Sequence, residues 1–179
     1  MSRKIIVPIV VFDTSCLITA VCSQGWNFTH DLIDLLELGG IRAVTSSEAL
    51  FEFETALQYD HIFERINPKH KLNFLQIYRQ NLEIIDIPKA ITEETKGGTT
   101  DPKDDMFLAI CQHAKADYLA SLDRGHLLKL EHWKNTKITR PIAVITEIAK
   151  LHGFENPQDQ LVQDWWQEIK QDLFQKILT

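Results

Sequence analysis

The sequence predicts an α/β domain: three layers, α/β/α, around a mainly parallel sheet of four to five strands, with a helical extension at the C-terminus. Three observations carry this. The run "IIVPIVVF" (5–12) is continuously apolar and β-branched, as expected of a strand buried on both faces. Short β-rich runs then alternate with stretches whose apolar residues recur at helical spacing, the pattern of a parallel sheet with crossover helices. The final stretch, about 157 to 178, repeats apolar residues at helical spacing beyond the last strand.

Taken in order, a helix is expected around "HDLIDLLELGG" (30–40), with Gly39 and Gly40 closing it. "IRAVT" (41–45) reads as a second strand. "SSEALFEFETALQ" (46–58) places Ala49, Leu50, Phe53, Ala56 and Leu57 on one helical face, with Thr45 and Glu48 as a capping box. "HKLNFLQIYRQNL" (70–82) is a further helix and "EIIDI" (83–87) a short strand stopped by Pro88. The polar, glycine-containing "TEETKGGTT" (92–100) reads as a loop. A helix over about 102–115 leads into the strand "DYLASL" (117–122), and a last strand falls within "TKITRPIAV" (136–144). In the terminal helix Leu161, Val162, Trp165, Ile169, Leu173 and Ile177 form a stripe widened by Trp166 and Phe174. That stripe suits either packing on the core or an interface with aromatic anchors. We divide the chain into a core over 1–150 and a helical extension over 151–179 packed on the same domain.

The 179 residues suffice for one domain burying roughly 70% of its unfolded surface. With 44% hydrophobic and 25% charged residues, the balance is that of a globular fold. The formal net charge of −6 argues against a protein that coats DNA or acidic membranes, whose affinity comes from surplus Lys and Arg. Cys16, Cys22 and Cys111 lack metal-ligand spacing and read as small apolar residues in a reducing compartment. The apolar run after Arg3 and Lys4 stops at Asp13, too early for a signal peptide, and no stretch reaches the ~20 residues that span a bilayer. A cytoplasmic protein is expected.

The acids are the chemically informative residues. In "DPKDDMF" (101–107), Asp101 as N-cap, Pro102 at the first helical position and Asp104 near the positive end of the dipole make an ordinary helix start. The same pattern at Asn156, Pro157 and Asp159 shows that it does not by itself mark a site. Asp13 and Asp123, however, directly follow two strands, and the carboxyl ends of parallel strands line one edge where ligands bind. Asp104 shares a helical stripe with Phe107, Leu108 and Cys111 and so turns inward. Three carboxylates in one crevice repel one another unless a cation such as Mg²⁺ or Mn²⁺ compensates. Glu52, beside the apolar face of 46–58, is a fourth candidate or a solvated helix residue; Glu48 and Glu54 are weaker ones.

"VVFDTSCLITA", "SSEALFEFETAL", "DPKDDMFLAICQHAKADYLASLDRGHLL" and "ITRP" resemble, in order and spacing, the PIN-domain nucleases. The likeness is greatest to the toxin-like branch, relatives of VapC-type toxins, and spans about residues 5–147. It implies a catalytic set of Asp13, Glu52, Asp104 and Asp123, with Asp13, Asp104 and Asp123 holding Mg²⁺ or Mn²⁺, and with Ser15, Asp101 and Ser121 in support. Ser15 stands where the family often has asparagine. The resemblance further implies metal-dependent hydrolysis of RNA, an antitoxin partner and a homodimer. Lys103, Arg124, His126, Lys69 and Lys71, with Arg65 and His70 near them, could bind backbone phosphates or be ordinary surface charge. A dehalogenase-like phosphatase would need an acid where Ser15 stands, and a receiver domain a paired acid and a late lysine. A PIN fold that binds RNA or protein without catalysis is the remaining alternative.

Overall fold

The computed structural model describes residues 6–156 and 160–179. Six strands form one sheet in the order β3-β2-β1-β4-β6-β5. They are β1 Ile9–Phe12, β2 Arg42–Thr45, β3 Leu82–Ile84, β4 Tyr118–Ala120, β5 His132–Trp133 and β6 Thr136–Thr139. All neighbours are parallel except the β5–β6 hairpin. The helices are α1 Thr14–Cys22, α2 Phe28–Glu37, α3 Ser47–Ala56, α4 Asp60–Phe63, α5 Pro68–Asn81, α6 Lys89–Thr95, α7 Asp105–Ala114, α8 Leu127–Leu130, α9 Pro141–Leu151 and α10 Val162–Leu178.

The period-2 geometry of β1 divides the interior. Val10 and Phe12 join the core formed with α1, α2, α5, α9 and α10, while Val11 joins Val44, Leu119 and Ile138 under α7. A strand that must be apolar on both faces is what the opening run encodes. β1 is also the point where the chain changes direction across the sheet: β2 and β3 lie on one side, β4 and β6 on the other. The crevice at such a switch lies beyond the carboxyl ends of β1 and β4.

Several elements depart from the sequence reading. β1 starts only at Ile9; Ile5 lies outside the described residues. α1 follows β1 after a single residue, its N-cap Asp13 accepting from Ser15 N, and its apolar pattern runs on from the strand without a break. Ser46, not Thr45, caps α3, through Ala49 N at 3.2 Å, because Thr45 still belongs to β2. Half of the expected loop 92–100 belongs to α6. α7 begins at Asp105, and residues 102–104 form a turn, so Pro102 does not open the regular helix. The last parallel strand ends at Thr139, since Pro141 disfavours a helical Arg140 yet suits the first turn of α9. Asn156 precedes α10 by several residues; Pro157 and Asp159 lie outside the described residues, and the N-cap is Leu161. Cys16 and Cys111 are buried, but Cys22 is only half-buried.

The stripe on α10 packs on the chain's own core. Trp165, Trp166, Leu173 and Ile177 are buried in the β1–α1–α2 cluster, and a Cβ on Gly40 would come within 2.8 Å of Ile177 Cδ1. Asp31 of α2 fixes the helix: it accepts from Trp166 Nε1 at 2.7 Å and Trp26 Nε1 at 3.1 Å, and pairs with Lys170 Nζ at 2.5 Å. Burial raises its carboxyl to about 6 against the opposing pull of Lys170 and Trp166.

Candidate active site

Asp13 lies one residue past β1, in register with the end of β4. Its backbone N–H donates to Ala120 O at 3.0 Å. Its carboxylate is buried and held by two hydroxyls, Ser121 Oγ donating to Oδ2 at 2.6 Å and Ser15 Oγ to the same oxygen at 2.5 Å. Each hydroxyl also accepts a backbone N–H beyond β4: Ser121 Oγ from Asp123 at 3.0 Å, Ser15 Oγ from Leu122 at 3.1 Å. The two strand ends are thereby cross-linked through one carboxylate. Burial raises its pKa; the bonds from Ser121 and Ser15 oppose this and the charge of Asp123 adds to it.

Asp123 is set by its own loop. Its Oδ1 accepts from Gly125 N at 2.7 Å, and a Cβ at Gly125 would crowd that oxygen at 3.1 Å. Asp101, Asp104 and Asp105, adjacent in sequence, have different surroundings. Asp101 closes a local turn, accepting from Lys103 N at 3.0 Å. Asp105 is buried and organises the preceding loop, accepting from Gly97 N at 2.7 Å, Thr99 N at 2.9 Å and Thr99 Oγ1 at 3.2 Å. A Cβ at Gly98 would lie 2.6 Å from Leu108 Cδ1 and 2.9 Å from Thr95 O, so this loop admits no side chain there. Asp104, between them, caps nothing with its side chain, and its Oδ2 is buried without a hydrogen-bond partner among the described residues. Its carboxyl is pushed up to about 7, first by burial, then by the charges of Asp13, Asp101 and Asp123, with His126 opposing.

Glu52 faces the same region from α3. Burial raises its carboxyl, the nearby Thr14 hydroxyl opposes, the charges of Asp13 and Asp101 add and that of Lys103 subtracts. Glu54 pairs instead with Arg79 at 2.7 Å on the surface. The four carboxylates are thus electrostatically coupled across β1, α3, the turn before α7 and the end of β4. They do not form a preassembled cage: among the described residues no three His, Cys, Asp or Glu side chains are gathered as a metal-binding group.

The surrounding cations divide. Lys103 and His126 act on these acids, and His126 Nδ1 lies 2.5 Å from Thr100 Oγ1. Arg124 is exposed just beyond Asp123. Lys71 sits over the Phe63 ring at 5.6 Å, and the side chains of Lys69 and His70 lie outside the described residues. The sequence reading missed Asp105, hidden among three acids in five residues. It also missed Arg140, whose place at the end of β6 the following Pro141 could have signalled.

A doubly wound sheet with a crevice of coupled carboxylates at its switch point defines the class, an α/β domain with an acidic centre. The PIN domain family matches residues 9–125, and the chain belongs to it. A solved structure similar to it is VapBC2 from Rickettsia felis bound to a DNA fragment from their promoter. The likeness has a TM-score of 0.51 and 16% identity, over 73% of this chain and 96% of that one, and shows the fold. No curated protein sequence matches the chain.

Proposed function

We propose that the chain is a metal-dependent ribonuclease acting as the toxin of a toxin–antitoxin pair. The observation that carries it is Asp104: a buried carboxylate oxygen with no partner among the described residues, in the field of three other carboxylates at the switch point. The donor set suits a hard divalent cation, Mg²⁺ or Mn²⁺, since every candidate ligand atom is a carboxylate oxygen. Asp13, Asp104 and Asp123 would hold it, and when bound it supplies a water of lowered pKa and neutralises charge developing on the phosphate. Ser15 and Ser121 keep Asp13 in one rotamer, a support that binding groups need. Glu52, with its carboxyl raised above the ordinary range, would orient the attacking water and take its proton. Lys103, His126 and Arg124 offset the repulsion a polyanion meets at this edge.

The antitoxin is inferred by analogy with the VapBC2 complex of similar fold; the exposed Phe51, Tyr59, Phe63 and Leu72 are apolar surface that a protein partner or a second copy would cover. Among the described residues no helix is long and apolar enough to cross a membrane, and a cytoplasmic setting goes with this reading.

The test is cleavage of single-stranded RNA with Mn²⁺ or Mg²⁺, by the parent and by Asp13→Asn. Cleavage is expected in the parent, ceases with EDTA, and is lost in a folded Asp13→Asn protein. Equal activity of the two proteins refutes the assignment of the centre. A parent that binds RNA but does not cleave it under any divalent ion is a binding module.

A further inference from the structure

The acidic centre lies beside a cationic strip that the acids leave uncompensated. Ser121 N donates to Thr139 O at 3.0 Å, so Arg140 follows β6 at the level where Ser121 follows β4. Arg124 follows Asp123 on the same edge. The two arginines together line two adjoining clefts, of about 430 and 500 Å³, one running toward α1 and α2 and the other along β6. Lys129 and Lys137 line the second, against a single carboxylate, Glu131. Lys137 is partly occupied by Glu147 at 3.5 Å. Among the described residues Arg124, Arg140 and Lys129 join no ion pair.

That is unexpected in a chain with 25 acidic and 19 basic residues. Arg124 adjoins Asp123, yet the Asp123 carboxylate is used by Gly125 N–H. Two free guanidinium groups at one mouth present planar donor forks suited to phosphate oxygens. They also supply the local positive potential that draws a polyanion toward an edge it would otherwise avoid.

We propose that Arg124 and Arg140, with Lys129 behind them, seat backbone phosphates of single-stranded RNA next to the scissile bond. The strand then leaves the acidic centre along β6. This rests on the ribonuclease reading and adds the route of the substrate. The contacts are to phosphate, so the strip positions the strand and reads no sequence.

The experiment is fluorescence anisotropy of a fluorescein-labelled single-stranded RNA of mixed sequence, titrated at several salt concentrations. It uses the full chain in an Asp104→Asn background, which removes turnover and one repelling charge. Each lost phosphate contact lowers the slope of log affinity against log salt by about 0.7, so Arg124→Gln with Arg140→Gln lowers it by about 1.4. A control pair of equal charge, Arg42→Gln and Lys115→Asn at the opposite edge of the sheet, leaves the slope unchanged. An unaltered slope in the arginine pair, or an equal fall in the control pair, overturns the strip while parent cleavage keeps the ribonuclease reading. If polyglutamate binds in an arginine-dependent way and RNA does not, the strip is a seat for an acidic protein segment and the proposal is wrong. A parent that neither cleaves nor binds RNA removes both proposals together.

Discussion

Asp104→Asn should stabilise the metal-free protein while removing its response to divalent ions. The carboxyl is raised from 3.8 to about 7, so the folded state holds the proton more tightly than the unfolded chain does. The sign follows: this contribution to stability is fully present below about pH 4 and is lost as pH rises through about 7. At 1.36 kcal/mol per unit the full displacement corresponds to roughly 4 kcal/mol. Because the side chain is only half-buried, solvent screening cuts this to about 1–2 kcal/mol. Asparagine carries no charge, and its amide can donate to the neighbouring carboxylates. Above pH 7 in EDTA the variant should therefore melt about 2–8 °C higher than the parent, with the gap closing toward pH 4. Mn²⁺ should raise the parent's melting temperature and leave the variant's nearly unchanged. Differential scanning fluorimetry across pH, with and without Mn²⁺, checks both. A variant that melts lower in EDTA at every pH would mean that Asp104 is a structural acid whose neighbours do not repel it, and the cation argument would fall with it.

Ser121→Ala removes a fully buried hydroxyl that donates to Asp13 and accepts from Asp123 N. It should cost about 1–3 kcal/mol in urea unfolding and move the Asp13 carboxyl further up, read by NMR titration. An unmoved Asp13 would show that the hydroxyl does not hold it. Lys170→Met leaves Asp31 buried with only indole donors and lifts its carboxyl above about 6. The loss of about 3 kcal/mol is therefore full in alkaline solution and shrinks as pH falls toward 6, where the variant's Asp31 already holds its proton. A pH-independent loss in urea midpoints would refute the pairing.

The sheet was legible because β1 must be apolar on both faces and because Asp13 and Asp123 interrupt apolar runs at their ends. What escaped were elements whose signals merge with a neighbour's. α1 begins one residue after β1, so Cys16, Leu17, Ala20 and Val21 prolong the strand's apolar run instead of starting a new pattern. The start of α9 reads as a continuation of the preceding strand because Ile142, Val144 and Ile145 are as β-branched as Ile138. The terminal stripe left two fates open, and the choice of core packing came from Asp31, far away in sequence, whose bonds to Trp166 and Lys170 no local pattern reveals. At the site, the candidate acids could be named from strand ends and helix faces. Their supports, Ser15 and Ser121, are named through the family resemblance and not by any local pattern, since the bonds that make them supports reach across the β1–β4 boundary.

The three acids of 101–105 show why local composition misleads. A helix start needs one acceptor near its first N–H groups, and Asp101 supplies that acceptor to the turn. Asp105 is buried and satisfied three times over by the loop it organises, so its charge is solvated by protein donors. Asp104, of the three, faces other carboxylates with an oxygen that nothing among the described residues satisfies. A fold can remove such a cost by a substitution to asparagine or serine, or by turning one of the nearby cations inward. Arg124 and Arg140 stand on the same edge and pair with none of these acids. Charge of both signs is therefore kept apart at one crevice, negative at the switch point and positive along β6. That separation lowers stability in the absence of ligand, and it is the arrangement required if a cation is to fill the first region and a phosphate chain the second.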